Sequence, residues 1–140
     1  MCHESSGVAL NESIGIGKGT VTLEDFNSAE LIIVVGQNPG TNHPRMLTAL
    51  RDAKKKGASI ISINPLTETG MKKFKHPQNP IEMLGFGSTI ADKHLKVKIN
   101  SDQALFRAFS KSVIESDNVD KNFIDKYTCL LYTSPSPRDS

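Results

Sequence analysis

Tryptophan is absent from these 140 residues, and aromatic side chains make up only 6% of them. A chain this poor in rings offers no row of stacking platforms for bases or sugars. Cysteine occurs twice, at Cys2 and Cys129. With Cys129 set aside for the reason given next, a lone cysteine makes no internal disulfide. That is compatible with a reducing compartment, and the expected location is cytoplasmic. No apolar run approaches the ~20 residues needed to span a bilayer. The formal net charge of +2 is too mild to argue for nucleic acid or an acidic membrane surface as partner. No internal repeat is visible.

Residues 129–140, CLLYTSPSPRDS, have no hydrophobic periodicity and carry a Ser-Pro-Ser-Pro run. The string resembles the translation of a sequencing-library adapter. It is expected to be a non-native or disordered tail, outside the fold. Removing it subtracts one arginine and one aspartate, so the charge stays at +2. Residues 1–128 are then the part to explain, as one small domain or a piece of a larger one.

The most informative stretch is Glu30 to Arg45, ELIIVVGQNPGTNHPR. Leu31 to Val35 form a short, continuous, β-branched run, as expected of a parallel strand covered on both faces. Gly36 to His43 supplies small residues that let the backbone approach a ligand. Pro44 is pre-set for the first helical position, and Asn42 or His43 can cap the turn. A helix starting there is expected to aim free N–H groups at the loop, a seat for phosphate. The bland reading of Gly36 to His43 is a tight structural turn. The polar cluster of Asn38, Thr41 and Asn42 favours phosphate.

Around this unit the pattern is α/β. Cys2 to Ser13 reads as a short helix, and Thr22 with Asp25 as the start of a helical turn. Pro44 to Lys56 places Met46, Leu47, Ala49, Leu50 and Ala53 on one stripe, with Lys54 to Lys56 at its C-terminal end and Gly57 as the stop. Ser59 to Ile63 is a second buried strand, ending in Asn64-Pro65. Thr69 to Ser88 reads as an excursion over the surface, with Lys72, Lys73 and Lys75 as a solvated face. His94 to Ile99 alternates as a third strand, with Leu95, Val97 and Ile99 inward. An amphipathic helix from Asp102 (Ala104, Leu105, Ala108, Phe109, Val113) and a short one from Asp120 to Tyr127 follow. The expected fold is α/β, a Rossmann-like parallel sheet with helices on both faces.

Ligands of open parallel sheets gather at the carboxyl ends of the strands. Three segments fall there: Gly36 to His43, Asn64 to Thr69, and Asn100 to Asp102. Asn64 lies 24 positions beyond Gly40, near the spacing at which dinucleotide folds set a polar residue against the ribose. Asp102 can accept two N–H bonds from a guanine edge or can cap its helix. Gly15 to Thr20 imitates a phosphate loop but fails, because Gly19 separates Lys18 from Thr20 and no strand precedes it. Cys2-His3 pairs a soft metal ligand with a proton relay, but a terminal pair without metal-site spacing is also simply a mobile end.

Four segments in order, MCHESSGVAL, GQNPGTNHPR, INPLTETG and NSDQAL, resemble molybdopterin oxidoreductase alpha subunits of the formate dehydrogenase-like, bis-molybdopterin guanine dinucleotide branch. The resemblance covers nearly all of residues 1–128 and implies a fragment of a larger multidomain subunit. Residue by residue, it implies that Cys2 ligates molybdenum and that His3 assists proton removal, as a pair of catalytic residues. It further implies that Gly36, Asn38, Gly40, Thr41 and Asn42 hold the cofactor phosphates. Asn64 with Pro65 would serve the guanosine ribose, and Asp102 the guanine. It also implies a 4Fe-4S cluster in a preceding part of the parent, formate as a small-molecule substrate, the remaining domains as partners, and an electron-transfer subunit. There are departures. Asn64 stands for an aspartate, Leu66 for an arginine and Asn100 for a glycine, and the Gly70 to Ile90 excursion is longer than is typical. The alternative reading is a stand-alone Rossmann-like nucleotide-binding module without catalysis.

Overall fold

β-Branched runs become strands where the sequence puts them. In a computed structural model, which describes residues 4–72 and 89–128, Leu31–Val35 (β1) and Ser59–Ile63 (β2) pair in parallel, from Leu31 opposite Ser59 to Val35 opposite Ile63. Lys93–Leu95 (β3) adds on the far side of β2, so the sheet runs β1-β2-β3 with every strand parallel. This is the expected α/β sheet flanked by helices. The chain divides into two compact units, residues 1–97 and 98–140.

The first unit also holds Glu4–Ile14 (α1), a 3₁₀ turn at Glu24–Asn27, Pro39–Asn42 (α2), Pro44–Lys55 (α3) and Thr69–Lys72 (α4). Ile32, Val34 and Ile60 share one face of the sheet, and the apolar stripe of α3 closes over it through Leu47 and Leu50. Each such side chain contributes ~1.5–3 kcal/mol by leaving water. Met71 and Ile90 complete this core. The expected surface excursion is therefore anchored at both ends, because its apolar residues find a dry site against α3. Lys73 and Lys75 lie outside the described residues. On the other face of β1, Leu31 and Ile33 remain partly exposed.

The third strand is shorter than its alternation predicts. Pairing stops at Ile63 opposite Leu95, since β2 turns away at Asn64-Pro65 and leaves nothing for Lys96 to Ile99 to bond. Of the expected inward positions only Val97 is half-buried. His94 sits opposite buried Ser62, whereas Leu95 is exposed and Ile99 is 86% exposed. Ser62 Oγ and both ring nitrogens of His94 are buried and find no hydrogen-bond partner among the described residues.

Asp92 fastens this edge. Its Oδ2 accepts from Ile60 N at 2.8 Å, and Lys54 Nζ lies 2.7 Å from its Oδ1. The Lys54 hydrogen bond, then the Ile60 N–H, holds the Asp92 carboxyl below the usual aspartate range. Asp25 similarly accepts from Thr22 N at 2.6 Å and Thr22 Oγ1 at 2.8 Å. That lowers its pKa, the backbone bond more than the hydroxyl. The Thr22–Asp25 pairing is the one read from the sequence, although the turn itself begins at Glu24 with Leu23 in the cap position.

The second unit holds Asp102–Glu115 (α5) and Lys121–Tyr127 (α6). Neither helix buries a residue, although Phe106 and Phe109 meet edge to face at 5.9 Å. Asp120 caps α6, its Oδ1 accepting from Phe123 N at 3.0 Å. The expected tail, residues 129–140, lies outside the described residues.

Candidate functional site

Two loops leave the carboxyl ends of neighbouring parallel strands, residues 36–43 after β1 and 64–68 after β2. The first begins at Gly36, whose N–H donates to Ile63 O at 2.9 Å. Its φ of +62° is one that side-chain-bearing residues rarely adopt, and a Cβ there would meet nothing within 4 Å. The backbone at the end of β1 therefore faces open space, as close approach by a ligand requires. Asn64 ties the second loop to the first, donating from Nδ2 to Gln37 O at 3.3 Å, and is itself buried.

Between this loop and α3 lies a turn that the sequence did not announce. Asn38 caps α2, its Oδ1 accepting from Thr41 N at 3.3 Å. Asn42 N donates to Asn38 O, and His43 N to Pro39 O, both at 3.0 Å. At the start of α3 one of the expected N–H groups is used locally, Met46 N donating to His43 O at 2.9 Å. Asn38 caps α2, while His43 takes the N-cap position of α3, one of the two expected there, without a side-chain cap bond. An Asn-Pro-Gly sequence explains this, since Asn is a strong cap and Pro favours the first helical position.

Beyond the loops, α2 and α4 touch at glycines: a Cβ on Gly70 would lie 3.0 Å from Gly40 Cα, so a side chain there would push the backbones apart. Beside this contact, Asn38 Nδ2 donates to Glu68 Oε2 at 2.7 Å. Asn38, Gly40, Thr41, Pro44, Leu47, Glu68, Thr69 and Gly70 line a cleft of about 360 Å³. A larger groove of about 460 Å³ runs between the 3₁₀ turn and α3, lined by Leu23, Phe26, Pro44, Met46 and Ala49 with His43 and Arg45. It is mostly apolar, so the smaller, polar cleft is the better seat for a phosphate-bearing ligand.

Of the residues singled out from sequence, Gly36, Asn38, Gly40, Thr41, Asn64 and Pro65 fall on these two loops, with exposed Asn42 ending α2. Asp102 belongs to the second unit and opens α5. Ser101 takes the cap position without a side-chain cap bond, its Oγ donating instead to Lys98 O at 2.6 Å. Asn100, standing where the resembled family has a glycine, adopts a φ of +67°, a left-handed conformation that Asn tolerates better than most residues. Cys2 and His3 lie outside the described residues. Glu68 and Thr69 lie in the segment Asn64 to Thr69 expected at the strand ends, but neither they nor Gly70 were singled out as site residues, since no local signal pairs Glu68 with Asn38.

A parallel α/β unit with a polar cleft between strand-end loops has the arrangement in which open parallel sheets gather ligands at their carboxyl edge. The chain belongs to the molybdopterin oxidoreductase family, whose family model matches residues 3–128. It is 48% identical over 133 residues to an uncharacterized oxidoreductase of Mycobacterium tuberculosis, covering 91% of this chain and 17% of that protein. It is 52% identical over 119 residues to protein YdeP of Escherichia coli, covering 84% of this chain and 16% of that protein. More distant are formate dehydrogenase H of Escherichia coli, at 29% over 126 residues (90% of this chain, 15% of that protein), and the assimilatory nitrate reductase catalytic subunit of Bacillus subtilis, at 30% over 129 residues (91% and 16%). The chain thus spans about one sixth of the length of the curated relatives it matches.

The family implies a molybdopterin cofactor. The cleft lining fits such a group through the Asn38 amide, the Thr41 and Thr69 hydroxyls and the glycine backbone at Gly40 and Gly70, with the Glu68 carboxylate bonded to Asn38 Nδ2. Among the described residues, no group of three or more His, Cys, Asp or Glu could hold a metal ion, and no helix is long and apolar enough to cross a membrane.

Proposed function

We propose that this chain supplies the metal-ligand cysteine and part of the guanine dinucleotide site of a molybdenum-dependent oxidoreductase with formate dehydrogenase-like two-electron chemistry. The observation that carries the reading is the cleft where the loops after β1 and β2 meet, in a chain of the molybdopterin oxidoreductase family. Gly36, Asn38, Gly40, Thr41 and Asn42 would take the phosphates through backbone and amide donors. Asn64 and Pro65 would lie along the ribose. Asp102 would accept from the guanine edge, a role for which its carboxylate has the right two acceptors. The Cys2 thiolate would hold the metal, since a soft ligand suits it.

When bound, the cofactor supplies a two-electron redox centre. Formate oxidation releases carbon dioxide, two electrons and one proton, and His3 would take that proton as a neutral imidazole near neutral pH. The parent protein is further proposed to carry its cofactor in the bis-guanine dinucleotide form and to hold a 4Fe-4S cluster outside this chain. It would pass electrons to a partner subunit and work in the cytoplasm.

A second reading has a specific basis: identity to the nitrate reductase, 30%, is no lower than the 29% to the formate dehydrogenase. His3 favours formate, because the resemblance places an apolar residue there in nitrate reductases. The test is dye-linked turnover of the full-length enzyme on formate and, in the reverse sense, on nitrate. Formate oxidation should be abolished by Cys2→Ser and depressed in His3→Ala, and the purified 140-residue chain should reduce no dye. Turnover on nitrate but not formate would sink the formate assignment.

A further inference from the structure

Glu68 has two tasks that pull in different directions along the chain. Its carbonyl oxygen accepts from Met71 N at 3.2 Å and Lys72 N at 3.3 Å, closing the turn of α4. Its side chain ignores α4 and reaches back 30 residues to Asn38 Nδ2 at 2.7 Å. A bond that short to a carboxylate is charge-assisted.

The bond fixes more than distance. The two ends of an amide differ, NH₂ donating and C=O accepting. With Glu68 present, the NH₂ end must face the carboxylate, since turning the amide over would set oxygen against oxygen. The Oδ1 end is then obliged to face Thr41 N, where it accepts at 3.3 Å. Glu68 thus selects the orientation of Asn38 that holds the loop over Asn38 to Thr41 in its observed shape. Among the described residues, only this bond and that of Asn64 to Gln37 O join the two loops through side chains.

We propose that Glu68 is a positioning residue for the phosphate loop: its carboxylate clamps the Asn38 amide so that the loop after β1 is preformed before ligand arrives. This rests on the reading of the cleft as a phosphate seat. Preforming matters because a loop that must order on binding weakens affinity by the cost of that ordering.

The experiment is a titration of the 140-residue chain with guanosine diphosphate by calorimetry, beside ¹H–¹⁵N spectra that follow the Asn38 side-chain amide and the Thr41 backbone amide. Glu68→Ala should weaken binding about tenfold and move both signals. Glu68→Gln keeps an acceptor at the same reach and should stay within about threefold of wild type. Asn38→Asp sets carboxylate against carboxylate and should bind at least as poorly as Glu68→Ala. Asn38→Asp combined with Glu68→Gln reverses the polarity of the pair and should recover binding, a rescue that a purely steric role for Glu68 would not give. Equal affinity in wild type and Glu68→Ala, or no rescue in the double variant, overturns the clamp and leaves the cleft standing. A wild-type chain that binds no guanosine diphosphate overturns the phosphate reading itself, and the purpose assigned to Glu68 goes with it.

Discussion

Asp92 shows how one side chain can serve three elements. It bonds the Ile60 N–H of β2, pairs with Lys54 near the end of α3, and directly precedes β3. Its carboxyl titrates below the ordinary aspartate range, first because of Lys54 and then because of Ile60. A group depressed in the folded state stabilises the fold fully above its unfolded value of ~3.9, and that contribution fades as pH falls through the folded value. The side chain is 42% exposed, so water screens the pair, and Asp92→Asn should cost about 1 kcal/mol at pH 7. Urea unfolding from pH 7 to 3 checks this. Wild type should lose its advantage over Asp92→Asn progressively as pH falls below the unfolded value of ~3.9 and through the lowered folded one. A constant difference across that range would show that the charge of Asp92 contributes nothing.

Among elements, the contact of α2 with α4 is the most exacting. A Gly70 Cβ would stand 3.0 Å from Gly40 Cα and 3.3 Å from Gly40 N, and backbone atoms cannot swing aside. A Gly40 Cβ has more room, 3.3 Å from Gly70 Cα. Gly70→Ala is therefore expected to destabilise the chain by about 1–3 kcal/mol and Gly40→Ala by less. Alanine's better helix propensity, up to ~1 kcal/mol, offsets part of the Gly70 cost. Urea midpoints for the two variants decide the order, and a larger loss in Gly40→Ala would refute this account. That contact was hidden in the sequence, as was the bond between Asn38 and Glu68, because both depend on how β1 and β2 align. What was legible depended on local chemistry alone. The β-branched runs Leu31–Val35 and Ser59–Ile63 became strands with the expected bounds, and Pro44 began a helix as expected. His94 to Ile99 misled, because alternation describes a strand's own residues and says nothing about whether a neighbour is long enough to pair. Asn100 gave a quieter lesson, since its φ of +67° accounts for a glycine-like position from which the sequence departs.

At the scale of the whole chain, stability should be uneven. The first unit has a core in which Leu50 and Ile60 are fully buried, and truncating such residues commonly costs 2–5 kcal/mol. The second unit has helices but no buried side chain among its described residues. Its Phe106, Val113, Ile114 and Phe123 are exposed. Helices of 14 and 7 residues gain little from propensity alone, since isolated helices of about that length are marginal in water. Capping by Asp120 and the edge-to-face ring pair add on the order of 1 kcal/mol each. That is too little to make a cooperative unit without a buried face. Hydrogen exchange reads this directly, because protection tracks local opening. Amides of β1, β2 and α3 should exchange slowest, through unfolding of the first unit. Those of α5 and α6 should exchange through fraying, orders of magnitude faster and insensitive to Leu50→Ala, which should speed β2. Equal protection in α5 and β2, falling together in Leu50→Ala, would mean that the two units unfold as one body and that the weak second unit is an incorrect description of this chain.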